Sequence, residues 1–231
     1  MKTNGFTVVY EDNHLLIVDK ASGVLVQGDS TGDVPLAERC KEYIKEKYQK
    51  PGAVFLGVVH RLDRPVSGVV ALARTSKALT RMNALFRDRK TEKIYWALVA
   101  NKPKDKSGTL VHWLIKDEKK NKVTAYTRET EDALHAELSY KVLGATGNTW
   151  LLEVNPKTGR PHQIRVQLAS MGCPIVGDLK YGYPTPNPDA SICLHAKSLA
   201  FQHPVKDEFV KFSAKPPANG LWDKSYSYFS A

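Results

Sequence analysis

The stretch HRLDRPVSG, residues 60–68, places one carboxylate between two guanidiniums at the end of an apolar run. Val58, Val59, Leu62, Val66, Val69 and Val70 suit a pleated, half-buried surface. Arg61, Asp63 and Arg64 interrupt them, followed by the turn residues Pro65, Ser67 and Gly68. Two flanking arginines favour a charged carboxylate. Aimed outward from a rigid turn, such a group suits nucleophilic or base chemistry. It suits equally a salt bridge that ties down the turn, and the local residues leave both readings open.

A second constellation is NPKTGRPHQIR, residues 155–165. A Pro/Gly turn leads into a helix N-terminus, where backbone N–H groups with Lys157, Arg160, His162 and Arg165 could hold phosphates; a plain basic helix cap is the simpler reading. In KTEKIYWALV, residues 90–99, Tyr95 alternates with Trp96 along a strand, so one faces the core and the other a cleft or solvent. Cys173, Cys193 and His195 lack the paired spacing of a zinc site, and no metal is expected. There is no GxxxxGK[ST] or GxGxxG stretch to cradle a nucleotide cofactor, and no nucleophile elbow.

The elements that carry these residues read as follows. Phe6–Tyr10 and Leu15–Asp19 form a hairpin across EDNH. Asp33 offers an N-cap and Pro35 an N1 residue to a helix in which Leu36, Cys40, Tyr43, Ile44 and Tyr48 recur, ended by Gln49–Gly52. Gly57–Leu62 and Val69–Arg74 are strands flanking the Asp63 turn. Thr75 or Ser76 caps a second helix, with Leu79, Met82, Leu85 and Phe86 inward and Lys77, Arg81 and Arg87 outward. Ile94–Ala100 is a strand, with strand-like runs around 109–115, 122–127, 134–142 and 149–154. A third helix starts near Pro161 and stops at Gly172, with Ile164, Leu168 and Met171 as its buried stripe. Strands and helices out of βαβ alternation give an α+β class.

The 231 residues, 42% apolar and 25% charged, exclude wholesale disorder and are ample for a core. The net charge of +10 is concentrated. Residues 60–95 carry +6 of it and residues 155–182 carry +3, which points to a polyanionic partner, nucleic acid ahead of a membrane surface. Cys40, Cys173 and Cys193 are irregularly spaced, as reduced cytosolic thiols are, and no apolar run approaches the ~18 residues of a membrane span. A cytoplasmic protein is expected.

In order along the chain, these stretches resemble the RluA-like branch of the pseudouridine synthases. HRLDRPVSG (60–68) is similar to that family's HRLDRDTSG, LFRDRKTEKIYWALV (85–99) to its second block, and GRPHQIRVQLASMGCPIVGDLKYG (159–182) to its GRTHQIRVHL, GHPIVGD and Tyr-Gly. EDNHLLIVDKASGVLV (11–26) and LHAKSLAFQHPV (194–205) resemble its opening strand pair and closing strand. The departures are Ala21 for Pro, Pro65-Val66 for Asp-Thr, Pro161 for Thr and Gln167 for His, of which Pro65 bears on the shape of the turn.

The resemblance implies a mixed, largely antiparallel sheet flanked by a few helices, with a basic RNA-binding cleft. It implies one catalytic domain over residues 1–231, without a separate N-terminal RNA-binding domain, acting as a monomer. Asp63 is then the catalytic aspartate, Tyr95 the active-site tyrosine and Arg165 the basic partner of Asp63. Arg61, Arg64, Lys77, Arg81, Lys157, Arg160 and His162 are the expected RNA contacts. The expected reaction is isomerisation of uridine to pseudouridine in large-subunit ribosomal or transfer RNA, with no cofactor and no metal. Two alternatives stand beside it: a non-catalytic RNA-binding module, and an RNA N-glycosidase using Asp63 and Asp178 as paired carboxylates.

Overall fold

The short apolar runs at the start of the chain fold as the expected hairpin, β1 (Phe6–Glu11) and β2 (Leu15–Lys20). At its turn the Asp12 carboxylate accepts the His14 and Leu15 N–H groups, both at 2.8 Å. In this computed structural model, which describes residues 5–29, 31–223, 225 and 228, the order continues with α1 (Leu36–Lys47), β3 (Gly57–Val58), β4 (Ser67–Ala73) and α2 (Ser76–Arg87). Then follow β5 (Thr91–Val99), β6 (Ser107–Asp117), β7 (Lys122–Tyr126), β8 (Leu134–Thr146) and β9 (Thr149–Pro156). The chain ends through α3 (Gln163–Ser170), a 3-10 turn (Leu179–Tyr181), β10 (Leu194–Gln202) and β11 (Phe209–Ser213). The architecture is α+β, a mixed, largely antiparallel sheet with three helices.

Two compact units divide the chain: residues 1–92 with 196–216, and residues 93–195 with 217–231. In the first, strands run β1-β2-β4-β10-β11, with β3 on the end of β4. β4 is buried along its whole length, as an inner strand covered on both faces must be. Leu15, Ile17, Val69, Ala71, Leu199, Phe201 and Phe212 form one core face, onto which α2 places Met82. In the second unit, strands run β5-β9-β8-β6-β7, all antiparallel, and Val166 of α3 packs on Leu114, Val123 and Ala136.

Three local expectations give way. The strand expected over Gly57–Leu62 stops at Val58. The His60 ring then takes over, its Nε2 accepting the Ala71 N–H at 3.0 Å, so a side chain replaces a ladder partner. Asp33 does not cap α1; its carboxylate is drawn to Arg64. The first helical N–H groups, of Leu36 and Ala37, go instead to the carbonyls of Leu25 and Val26 at 2.6 and 3.3 Å, which answers the need a cap would meet. Third, α3 buries more than the expected stripe: Gln163, Arg165 and Gln167 are as buried as Ile164 and Leu168, while Met171, expected in the stripe, is a half-buried residue just past the helix end. Its polar side chains find partners inside the protein, Gln167 Nε2 donating to Leu110 C=O at 3.1 Å and meeting His112 Nδ1 at 3.0 Å. By contrast the cap of α2 is as expected, Thr75 Oγ1 accepting the Ala78 N–H at 3.2 Å.

Gly68 is a glycine the sheet cannot exchange. Its φ is +118°, and a Cβ there would fall on the backbone of Ala196 in β10, 2.6 Å from the nitrogen. Only a residue without a Cβ lets β4 and β10 approach this closely.

Candidate active site

Asp63 sits between β3 and β4 on a turn closed by Val66 N–H donating to the Asp63 carbonyl at 3.0 Å. Pro65 is accommodated within it. The turn is clamped from the 20–24 segment by a reciprocal pair: Gly23 N–H donates to Arg64 C=O at 2.8 Å, and Arg64 Nε donates to Gly23 C=O at 3.1 Å. Beneath them lies Lys20, fully buried at the end of β2. Its Nζ donates to the carbonyls of Ala21, Val24 and Arg64 at 2.9, 2.8 and 3.3 Å. Burial pushes the Lys20 ammonium down from 10.5 to about 7, against the pull of the Asp63 and then the Asp19 charge. A rigid support and a nearby buried lysine thus hold the half-buried Asp63. His60 adds to the support, its ring stacked on Phe86 at 4.7 Å between centroids.

The basic residues around this turn divide into two kinds. Arg61 and Lys77 are exposed. Arg64 is exposed as well but paired on the surface, its Nη2 2.5 Å from Asp33 Oδ2, so it braces the turn as well as standing among the expected RNA contacts. Arg81 is exposed but gives one Nη1 hydrogen bond to Pro204 C=O at 2.7 Å, which fixes its position on α2.

In the second unit, Tyr95 lies opposite Val154 in the β5–β9 ladder and is half-buried, while its neighbour Trp96 is 1% exposed. The alternation read from KIYW therefore holds, with Trp96 as the core member. The 157–163 turn is built by Gln163, whose Oε1 accepts from Thr158 Oγ1 at 2.7 Å and Arg160 N–H at 3.0 Å, and whose Nε2 donates to Glu137 C=O at 3.0 Å. Lys157 leans on Glu137 at 2.7 Å yet stays largely exposed, and Arg160 Nε donates to His135 C=O at 3.0 Å. His162 takes the left-handed conformation, φ +51°, immediately before α3, and its Nδ1 lies 2.8 Å from the Tyr181 hydroxyl.

Arg165 occupies a built pocket. Its side chain is 6% exposed and that of Asp178 1%, and the two meet through a bidentate pair, Nε to Oδ2 at 2.7 Å and Nη2 to Oδ1 at 2.9 Å. The Tyr181 ring lies under the guanidinium, 5.1 Å from Cζ to centroid, and the Tyr181 hydroxyl accepts the Val123 N–H at 2.9 Å. Asp178 is therefore an arginine-bound structural anion. With both oxygens committed and no solvent access, it is ill placed to be the second carboxylate of a glycosidase.

Of the residues singled out by type and spacing, Arg61, Asp63, Arg64, Lys77 and Arg81 fall in the first unit, and Tyr95, Lys157, Arg160, His162 and Arg165 in the second. Lys20 and Tyr181 were not among them. A lysine closing the apolar run LLIVD just before a small-residue turn was the available signal for Lys20. For Tyr181 the signal was its place in the Tyr-Gly that closes the 159–182 block. Among the described residues no group of three or more His, Cys, Asp or Glu could hold a metal ion, and no helix is long and apolar enough to cross a membrane.

Comparison with known proteins gives these elements a context. The family model described as RNA pseudouridylate synthase matches residues 14–170. Ribosomal large subunit pseudouridine synthase C of Vibrio parahaemolyticus is 33% identical over 213 residues, 90% of this chain and 64% of that protein. The chain thus spans about 64% of the length of the synthase C relatives it matches. Dual-specificity RNA pseudouridine synthase RluA of Haemophilus ducreyi is 34% identical over 215 residues, 90% of this chain and 92% of that protein. Among solved structures, human RNA pseudouridylate synthase domain containing 4 superposes with a TM-score of 0.76 at 25% identity, covering 91% of this chain and 88% of that one. The family match begins at the β1–β2 turn and ends with α3, so it takes in the Asp63 turn, Tyr95 and Arg165 together. The chain belongs to the RNA pseudouridylate synthase family, in its RluA-like branch.

Proposed function

We propose that the protein converts uridine to pseudouridine in structured RNA, with Asp63 as its catalytic carboxylate. One observation carries the reading: within the family match, the HRLDR segment folds as a clamped turn that supports a half-buried Asp63 beside a buried lysine. A single catalytic domain is the proposed organisation.

The reaction breaks the N1–C1′ bond, turns the uracil, joins C5 to C1′ and releases the C5 proton, so the atoms are conserved and no electrons leave. Asp63 serves either by attack on the base or sugar or by removing a sugar proton, and both need its ionised form. Arg165 is the basic group that orients Asp63 through a charge-assisted hydrogen bond. Tyr95 supplies a stacking face and a hydroxyl for the C5 proton. The target base must leave its stack, at a cost of a few kcal/mol. Phosphate contacts from Arg61, Lys77, Arg81, Lys157, Arg160 and His162 offset that cost. Large-subunit ribosomal RNA and transfer RNA are the proposed substrate classes.

Tritium release from RNA labelled at uridine C5 tests the proposal. Wild type releases tritium, and Asp63→Asn does not while still binding RNA. No release by wild type on total cellular RNA, or equal release by Asp63→Asn, overturns it. Release of free uracil in place of pseudouridine would support the glycosidase alternative.

A further inference from the structure

Arg165 is an unusual place to keep a charge: a guanidinium in a nearly dry interior, on a helix that also encloses Gln163 and Gln167. Removing such a charge from water costs several kcal/mol unless a well-aligned anion and further hydrogen bonds compensate. Asp178 supplies the anion, and it does so in one orientation. Its two oxygens take the Nε–Nη2 edge of the fork at 2.7 and 2.9 Å. The planar fork leaves the guanidinium no freedom to rotate about Nε–Cζ once that edge is engaged. The Tyr181 ring fixes the plane from one face at 5.1 Å, and Tyr181 is itself pinned to β7 through the Val123 N–H and to the α3 entry through His162. These two bonds use two of the five guanidinium N–H donors, and the Nη1 edge lies on the side of the fork away from Asp178.

We propose that Asp178 is the positioning residue of the catalytic site: it sets the direction in which Arg165 presents its Nη1 edge, with Tyr181 fixing the plane. The proposal rests on the reading of Arg165 as the basic partner of Asp63. Asp178 does not touch substrate and acts only through Arg165. Asp178→Asn keeps the shape but offers one acceptor and one amide donor where the guanidinium needs two acceptors. The guanidinium then tilts or withdraws. A misplacement of about 1 Å at such a site costs on the order of 100-fold in rate.

The test measures single-turnover tritium release and RNA binding separately, for wild type, Asp178→Asn, Arg165→Lys and the double variant. The expected result is a fall of at least about tenfold in kcat for Asp178→Asn with RNA affinity unchanged, and little further loss when Asp178→Asn is added to Arg165→Lys, because both changes act on one element. Equal kcat in wild type and Asp178→Asn overturns the proposal, as does full additivity in the double variant. Should Asp178→Asn fail to fold, Asp178→Glu keeps the buried charge while shifting it by one methylene; it is expected to lower kcat without lowering RNA affinity, and an unchanged kcat there is equally fatal. A wild type that releases no tritium would instead remove the synthase reading itself.

Discussion

Replacing Lys20 by methionine tests the electrostatics beneath the Asp63 turn. Below pH 7 the amine is charged in both the folded and the unfolded protein, and the folded state bears the full cost of burying it. Lowering its pKa from 10.5 to about 7 corresponds to about 5 kcal/mol. Methionine relieves that cost but strips the Nζ donor from the carbonyls of Ala21 and Val24, whereas Arg64 C=O keeps the Gly23 N–H. At about 1–3 kcal/mol for each orphaned acceptor, the loss is about 2–6 kcal/mol, so at low pH the two proteins are nearly matched. Between pH 7 and 10.5 the native amine is neutral and the unfolded one charged. The unfolded state then binds more protons, and wild-type stability rises with pH. The variant lacks this rise. Burial also pushes the Cys40 and Cys193 thiols up to about 12, which lowers stability at alkaline pH, but both proteins share that effect and it cancels in the difference. Urea unfolding at about pH 7.5 and about pH 9 should show wild type gaining about 2 kcal/mol over Lys20→Met. A difference that stays constant to within about 0.5 kcal/mol would refute the buried, depressed lysine.

Two further outcomes are expected. Gly68→Ala should lower the thermal midpoint steeply or abolish soluble expression, because its Cβ meets the Ala196 backbone at a positive φ, whereas Gly52→Ala, with nothing within 4 Å, should change stability by less than about 0.5 kcal/mol. Arg61→Ala, at an exposed position, should leave the unfolding midpoint unchanged and reduce the slope of log K against log salt for RNA by about 0.7–0.9; an unchanged slope would remove Arg61 from the interface.

The sequence made the element types legible wherever periodicity was local. The β1–β2 hairpin, α1, α2 and the strand through Tyr95 all stand where their apolar spacing put them, because a period of two or of 3.6 is a property of neighbouring residues. What escaped it depended on partners far along the chain. Asp33 reads as a cap because a cap is the nearest use for an aspartate before a helix; Arg64, 31 residues on, claims it. Lys20 reads as the polar end of a strand until the carbonyl of Arg64 is found beside it. The enclosure of α3 follows from polar residues satisfied by β6 and by Asp178, which no helical pattern encodes. The resemblance supplies Asp63, Tyr95 and Arg165 as a set, whereas the pairing of Arg165 with Asp178 is a matter of the folded structure.

The order of strands in the first unit has a consequence for how the protein is made. β4 takes β10 as its neighbour, yet β10 ends at Gln202, roughly 130 residues after Ala73. A ribosome adding about 5–20 residues per second leaves β4 waiting for about 6–26 s. Throughout that interval an apolar strand, buried at every position in the finished molecule, offers any other nascent chain an edge that only β3 and the His60 ring partly cover. Gly68, the residue that lets β10 close in, lies on that waiting edge, so a side chain there would prolong the exposure as well as weaken the finished sheet. Demand for chaperones during synthesis should therefore be set by the first unit and end when β10 emerges.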